Sequence, residues 1–189
     1  MGLTPLEDLV MGGRTGDIDP AAVFHFVRVA GMSVDEIDHL FNRESGMKGL
    51  TGESDMREVT RMMDEGNQDA IDAMNIYLHR LTKYVGAYTA VMGGLDAITF
   101  TAGIGENDAR LRAALCERLA YLGIVIDAEA NARRSDEPVT ISTPESAEHR
   151  RGRLRHRQAQ LWPGRHRDRA AAEGIHHQRP RGHAVARPA

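Results

Sequence analysis

The sequence predicts an α/β domain, its helices packed on an incomplete sheet, followed by a disordered basic tail. Three observations carry this. Segments of helical periodicity fill residues 20–92, and short β-prone runs with one more helix between them follow, an order that builds layers around a sheet. The clear strands are two, with a third short one near position 140, which is part of a sheet at best. The third observation is charge. Residues 1–148 carry 13 Lys and Arg against 25 Asp and Glu, a net of −12, whereas residues 149–189 carry 11 arginines, no lysine and two acids, a net of +9. Six of the nine histidines also lie after position 148. A shift this abrupt marks a boundary, dividing the chain into a domain over 1–148 and an Arg-rich tail over 149–189.

Residues 1–19 are loop and turn, punctuated by Gly12, Gly13 and Gly16. Asp19 before Pro20 opens a short helix that carries Phe24, Phe26, Val27 and Val29 and stops near Gly31. Ser33 with Glu36 three residues on forms a capping box for a second helix, whose apolar face is Val34, Ile37, Leu40 and Phe41. Residues 45–53, SGMKGLTGE, read as a glycine-punctuated loop. Ser54 or Asp55 caps a helix through Val59, Met62 and Met63 that ends near Gly66. From Asn67, the positions Ile71, Met74, Leu78, Leu81, Val85, Tyr88 and Met92 recur at threes and fours, an amphipathic helix of about seven turns. Gly93 and Gly94 stop it. Leu95–Thr101 is a buried strand, Gly103 and Gly105 a turn, Glu106–Leu122 a helix, GIVID at 123–127 a second strand, and Asp136–Thr143 a third.

The chain's 189 residues, 41% of them hydrophobic, suffice for one domain with a core. No apolar run approaches the ~20 residues of a membrane span. The first residues lack the basic-then-apolar pattern of a secretory leader, and Leu6 stands where a myristoylation motif prefers Ser or Thr. The single cysteine, Cys116, cannot form an internal disulfide, which points to a reducing cytoplasm. It shares an apolar helix face with Leu111, Leu115, Leu119 and Leu122 and reads as a small core residue. His25, His39 and His79 have no metal-ligand spacing, and no Ser–His–Asp or Cys–His signature is present.

What remains for chemistry is FTAGIGENDAR at 100–110. A glycine turn between strand and helix lets a ligand approach the backbone and offers free N–H groups to a phosphate or ribose. GIGEN is neither GxGxxG nor a Walker motif, and such a turn is also simply a tight connection. Arg14 in GGRTGD can meet a carboxylate or phosphate with little steric cover, or be a solvated loop residue. Arg57, with Arg61 one turn on and Glu53 and Glu58 nearby, has the same two readings, ligand contact or surface pairing.

Several long stretches, in order, decide more. LTPLEDLVMGGRTGDIDP (3–20), SGMKGLTGESDMREV (45–59), KYVGAYTAVMGGLDAITFTAGIGEN (83–107) and ISTPES (141–146) together resemble the acetate kinase family over residues 3–146. The resemblance implies an actin-like, ribonuclease H-like ATPase fold and transfer of the ATP γ-phosphoryl, with Mg²⁺, to acetate or propionate, giving acyl phosphate and ADP. It implies that Arg14 stabilises the transferring phosphoryl group. Asp55, Met56 and Arg57 would form one nucleotide-contacting segment, and Gly103, Ile104, Gly105, Glu106 and Asn107 the other. It implies a cytoplasmic homodimer. It also implies a longer protein of two similar domains, of which this chain is the C-terminal part, expected to be inactive alone. The family's magnesium-linked glutamate has no match here, so no metal ligand is assigned.

The tail departs from the family pattern at AEHRRGRLRHRQAQLWPGRHRDR. Three readings apply: a nucleic-acid arm, a solvated disordered tail, or GC-rich DNA read out of frame near position 148. The last is preferred, because the break falls inside a family motif. Trp162, the tail's one aromatic, gives thin support for stacking on nucleic acid, so nucleic acid is not an expected partner. The rival to the enzyme reading is a non-enzymatic nucleotide-binding remnant or a basic-tailed nucleic-acid binder.

Overall fold

The structure, a computed structural model, describes residues 3–135, 137–144, 146 and 158–161. Most of the chain is helical. Helices α1 (Ala21–Arg28) and α2 (Val34–Arg43) follow the N-terminal loop. Asp19 starts α1 by accepting from the Ala21 N–H at 2.8 Å. The Ser33–Glu36 capping box forms as predicted, with the Glu36 carboxylate accepting from the Ser33 N–H at 2.7 Å.

Residues 45–53 differ from expectation. Their centre is a helix, α3 (Gly46–Thr51), rather than a loop. Two of the three glycines that suggested a loop stand at its ends, Gly46 with φ +63° and Gly52 with φ +83°, and Gly49 lies within the helix. Between them Met47 is fully buried, and that anchor offsets the poor helix propensity of the segment.

Helix α4 (Met56–Asp64) is capped by Asp55, and the 24-residue α5 (Gln68–Val91) by Asn67, whose side-chain oxygen accepts from the Ala70 N–H at 3.0 Å. The predicted stripe of α5 is buried at Met74 and Leu78 and packs on the core through Leu81 and Val85, but Tyr88 and Met92 stand exposed.

Strand β1 (Ala97–Phe100) leads into α6 (Ala102–Asn107) and α7 (Ala109–Arg118), followed by a 3₁₀ turn (Ala120–Leu122) and α8 (Ala128–Ala132). The predicted continuous helix from Glu106 is therefore broken at Asp108, whose backbone leaves the helical region (ψ 88°) and whose carboxylate then caps α7 through the Leu111 N–H at 2.8 Å. The predicted strand 123–127 is reduced to one bridge, Ile126 to Ser142. The predicted third strand is the two-residue β2 (Val139–Thr140).

Between β1 and β2 lies β3 (Gln158–Leu161), parallel to β1 and antiparallel to β2. It falls within the basic tail, so the expected disorder does not hold for these four residues: the backbone donors and acceptors of two strands meet there. Residues 149–157 and 162–189, where the rest of that expectation lies, are outside the described residues.

The core lies between α4, α5, α7 and the sheet, and includes Val59, Ala70, Leu115, Leu119, Phe100 and Ile141. Cys116 belongs to it as predicted; burial pushes its thiol up to about 11, which leaves it protonated and inert at neutral pH. Among the described residues no helix is long and apolar enough to cross a membrane.

Candidate functional site

Two segments far apart in sequence form one open cleft of about 750 Å³. Ser54 to Arg57 and Thr60, at the start of α4, make one wall. Gly103, Ile104, Asn107 and Asp108, from α6 and its end, make the other, and Arg134 completes the lining. Of the predicted residues, Asp55, Met56, Arg57, Gly103, Ile104 and Asn107 are thus brought together. Gly105 and Glu106 are not among the residues lining the cleft, and neither is Arg14.

The α4 wall is organised by its cap. The Asp55 side chain accepts from the Arg57 N–H at 2.9 Å and from Arg57 Nε at 3.0 Å. Those bonds, the side-chain one foremost, hold the Asp55 carboxyl well below its usual range, at about 2. The Arg57 side chain is 89% exposed, so its guanidinium is folded back on Asp55 but open to solvent and to the cleft. Met56 is buried and gives the lining an apolar side chain.

The α6 wall is not the expected turn. Neither Gly103 nor Gly105 takes a positive φ; the left-handed residue is Ala102, at φ +60°. A side chain there costs about 1–2 kcal/mol, a strain that clusters at functional segments. Asn107 Nδ2 donates to the Gly103 carbonyl at 2.8 Å and closes the short helix on itself. A helix of six residues sums few peptide dipoles, so the cleft's ligand chemistry rests on shape and on Arg57 and Arg134 rather than on a helix end. Among the described residues, a Cβ built at Gly103 would meet no atom outside its own helix within 4 Å, whereas one at Gly105 would touch Phe100 at 3.4 Å. Open space at Gly103 is room for a ligand; Gly105 faces the strand behind.

Arg14 sits on a loop tied to the same region. The first N–H groups of α3, which no intrahelical carbonyl can satisfy, donate to this loop: Met47 N to the Met11 carbonyl at 2.9 Å and Lys48 N to the Gly12 carbonyl at 2.7 Å. A Cβ at Gly12 would lie 2.8 Å from the Ser54 carbonyl, so the loop abuts the edge of the α4 wall. Arg14 is half-buried and, among the described residues, makes no ion pair; its Nη1 donates to Met11 Sδ at 3.9 Å.

No three His, Cys, Asp or Glu side chains come together as a metal site among the described residues, so no residue here is assigned to magnesium. The sequence reading missed Ser54, Thr60, Asp108 and Arg134 in the cleft. Asp108 was findable, since an Asp before a helical ARLRAAL is an N-cap. Arg134 was not: it follows α8, and only the packing of α8 on α7 brings it to this cleft.

The acetokinase family model matches residues 1–150. Acetate kinase of Streptomyces avermitilis is 59% identical over 147 residues, which is 78% of this chain and 36% of that protein. Solved structures similar to it include acetate kinase of Porphyromonas gingivalis (TM-score 0.76, 36% identity, 86% of this chain, 39% of that one). A propionate kinase of Francisella tularensis is similar as well (TM-score 0.74, 37% identity, 86% of this chain, 39% of that one). The chain spans about a third of the length of the curated relatives it matches, 36% in the first case.

Proposed function

This chain belongs to the acetokinase family, with part of that family's actin-like α/β fold, and from that premise we propose that the Ser54–Arg134 cleft is the nucleotide site of an ATP:carboxylate phosphotransferase. The observation that supports it most is the meeting of Asp55–Arg57 and Gly103–Asn107 across one cleft, with open space where Gly103 lacks a side chain.

In the reaction proposed, a carboxylate oxygen of acetate or propionate attacks the γ-phosphorus of ATP. The bond to the β-phosphate oxygen breaks, and acyl phosphate and ADP leave; the reverse step makes ATP. A loose phosphoryl transition state spreads negative charge over its oxygens, so the protein's part is positioning and neutralisation. Arg57 and Arg134 supply positive charge at the cleft. Among the described residues Arg14 pairs with no carboxylate, and its guanidinium would neutralise the group in transfer. Magnesium would shield the ATP phosphates when bound, but the described residues offer no ligand cluster for it, and no step is assigned to them through it. Acetate and propionate are both retained, since a named relative of each kind is similar to this chain. A cytoplasmic homodimer belongs to the same proposal, as does the absence of turnover by these 189 residues alone, because the chain spans about a third of its relatives' length.

Titration of the purified chain with ATP and with ADP, followed by calorimetry, tests the reading. Saturable binding that weakens about tenfold in Arg57→Ala is expected, the loss of one charge-assisted contact. A wild-type chain that binds neither nucleotide overturns it. A coupled acyl phosphate assay on the same sample is expected to show no activity, and turnover would overturn that part.

A further inference from the structure

Arg112 is 2% exposed, the largest fully buried side chain among the described residues, and no carboxylate pairs with it. Four of its five donors go to neutral oxygens. Nη1 donates to the carbonyls of Gly105 at 2.9 Å and Glu106 at 2.8 Å. Nε donates to Asn131 Oδ1 at 2.7 Å and Nη2 to the Asn131 carbonyl at 2.6 Å. Asn131, itself buried, donates in turn from Nδ2 to the Ala109 carbonyl at 2.8 Å.

Three of these acceptors share one property. The Gly105 and Glu106 carbonyls lie in the last turn of α6 and the Asn131 carbonyl in the last turn of α8, positions where helix carbonyls lack an intrahelical donor. The same guanidinium thus binds the ends of two elements that reach the cleft: α6 carries Gly103, Ile104 and Asn107, and α8 leads into Arg134. An isolated buried charge is expensive, and burial does push this guanidinium below its usual range, with the Asp108 carboxylate opposing. A core role would be filled more cheaply by leucine.

We propose that Arg112, through Asn131, is a positioning residue of the nucleotide cleft, holding α6 and the Arg134 segment in one register. It touches no ligand. The inference rests on the nucleotide reading above. Lysine cannot take its place, because one ammonium cannot span the α6 carbonyls and both Asn131 atoms that the planar fork reaches.

The test compares the full chain with Arg112→Lys, Arg112→Gln and Asn131→Ala by peptide-level hydrogen exchange and by ATP titration, with far-UV circular dichroism confirming the fold. Expected is faster exchange over 102–108 and 128–134, unchanged exchange over α4 and α5, and ATP affinity lowered roughly tenfold, as outer-shell partners of a site usually cost. Should the Arg112 variants fail to fold, Asn131→Ala carries the comparison. Unchanged exchange over 102–108 in a folded variant overturns the proposal, and so does faster exchange with full ATP affinity. A wild type that binds no ATP overturns the nucleotide reading instead, while the exchange pattern still decides whether Arg112 sets the two walls.

Discussion

Gly103 and Gly105 stand two residues apart in α6, and their missing side chains face different things. Among the described residues, nothing outside its own helix lies within 4 Å of a Cβ at Gly103, while a Cβ at Gly105 makes ordinary contact with Phe100. Neither backbone conformation excludes alanine. Both Gly103→Ala and Gly105→Ala are therefore expected to fold and to gain about 0.5–1 kcal/mol from helix propensity. They separate in binding. Gly103→Ala is expected to lower ATP affinity and Gly105→Ala to leave it alone, read by thermal melts alongside titration; equal affinities would remove Gly103 from the site. Sequence alone presented the two glycines as one motif. What distinguishes them is the direction in which each lacks a side chain, and that depends on α6 being a helix with one face on β1. Arg57 was legible as a residue, but its partner was not: Asp55 both caps α4 and holds the guanidinium.

Three tethers, among others, hold the Arg14 loop to α3 and α5. Two are the backbone bonds from Met47 and Lys48 to the loop. The geometry permits this approach because residue 46 is glycine: a Cβ there would sit 2.1 Å from the Met11 carbonyl oxygen and 2.5 Å from that of Arg14, at φ +63°. Gly46→Ala is expected to destabilise by about 2–4 kcal/mol, from strain and overlap together, measured by chemical denaturation. The third tether is Asp17. Its carboxylate accepts from the Tyr84 hydroxyl at 2.6 Å, Lys83 Nζ at 3.1 Å and Arg80 Nη1 at 3.4 Å, joining the loop to α5. The Tyr84 bond, then Lys83 and Arg80, hold the Asp17 carboxyl below its ordinary value, and the same bond raises the Tyr84 hydroxyl to about 12. A lowered folded-state pKa means stability that is fully present above the unfolded value of 3.8 and lost as pH falls through the folded one. Melts from pH 5 to pH 2 should show the wild type losing more stability below about pH 4 than Asp17→Asn, which lacks this titration; parallel profiles would mean the tether contributes nothing. These contacts span more than sixty residues of sequence, and no local pattern announces them.

The molecule is helices laid on a narrow sheet whose central strand comes from the basic tail. Without Gln158–Leu161, β1 and β2 would each present an unpaired edge, since β3 lies between them. A chain ended at residue 148 is therefore expected to aggregate more than the full chain, scored by light scattering at equal concentration. Equal solubility would mean the tail strand adds nothing to the sheet. The frame-shift reading of the tail is a separate matter, tested by sequencing the gene: one reading frame through these arginine codons would dismiss it. The exposed apolar residues Tyr88, Val91 and Met92 at the end of α5 mark where the amphipathic pattern outruns this core.

By itself the sequence determined the longer helices α2, α4 and α5 with their caps, the family, and most of the residues of the two segments that face the cleft. These are local properties: a hydrophobic period, a capping side chain before a helix, a run of residues in order. The break of the helix at Asp108, the conversion of the 45–53 loop into α3, the strand in the tail and the burial of Arg112 were decided by tertiary structure alone. Each depends on where a distant backbone carbonyl or apolar surface comes to lie, as when Asn131 and the end of α6 supply the oxygens that let a guanidinium sit 2% exposed. Nothing adjacent in the chain carries that information, and the site's geometry is made of it.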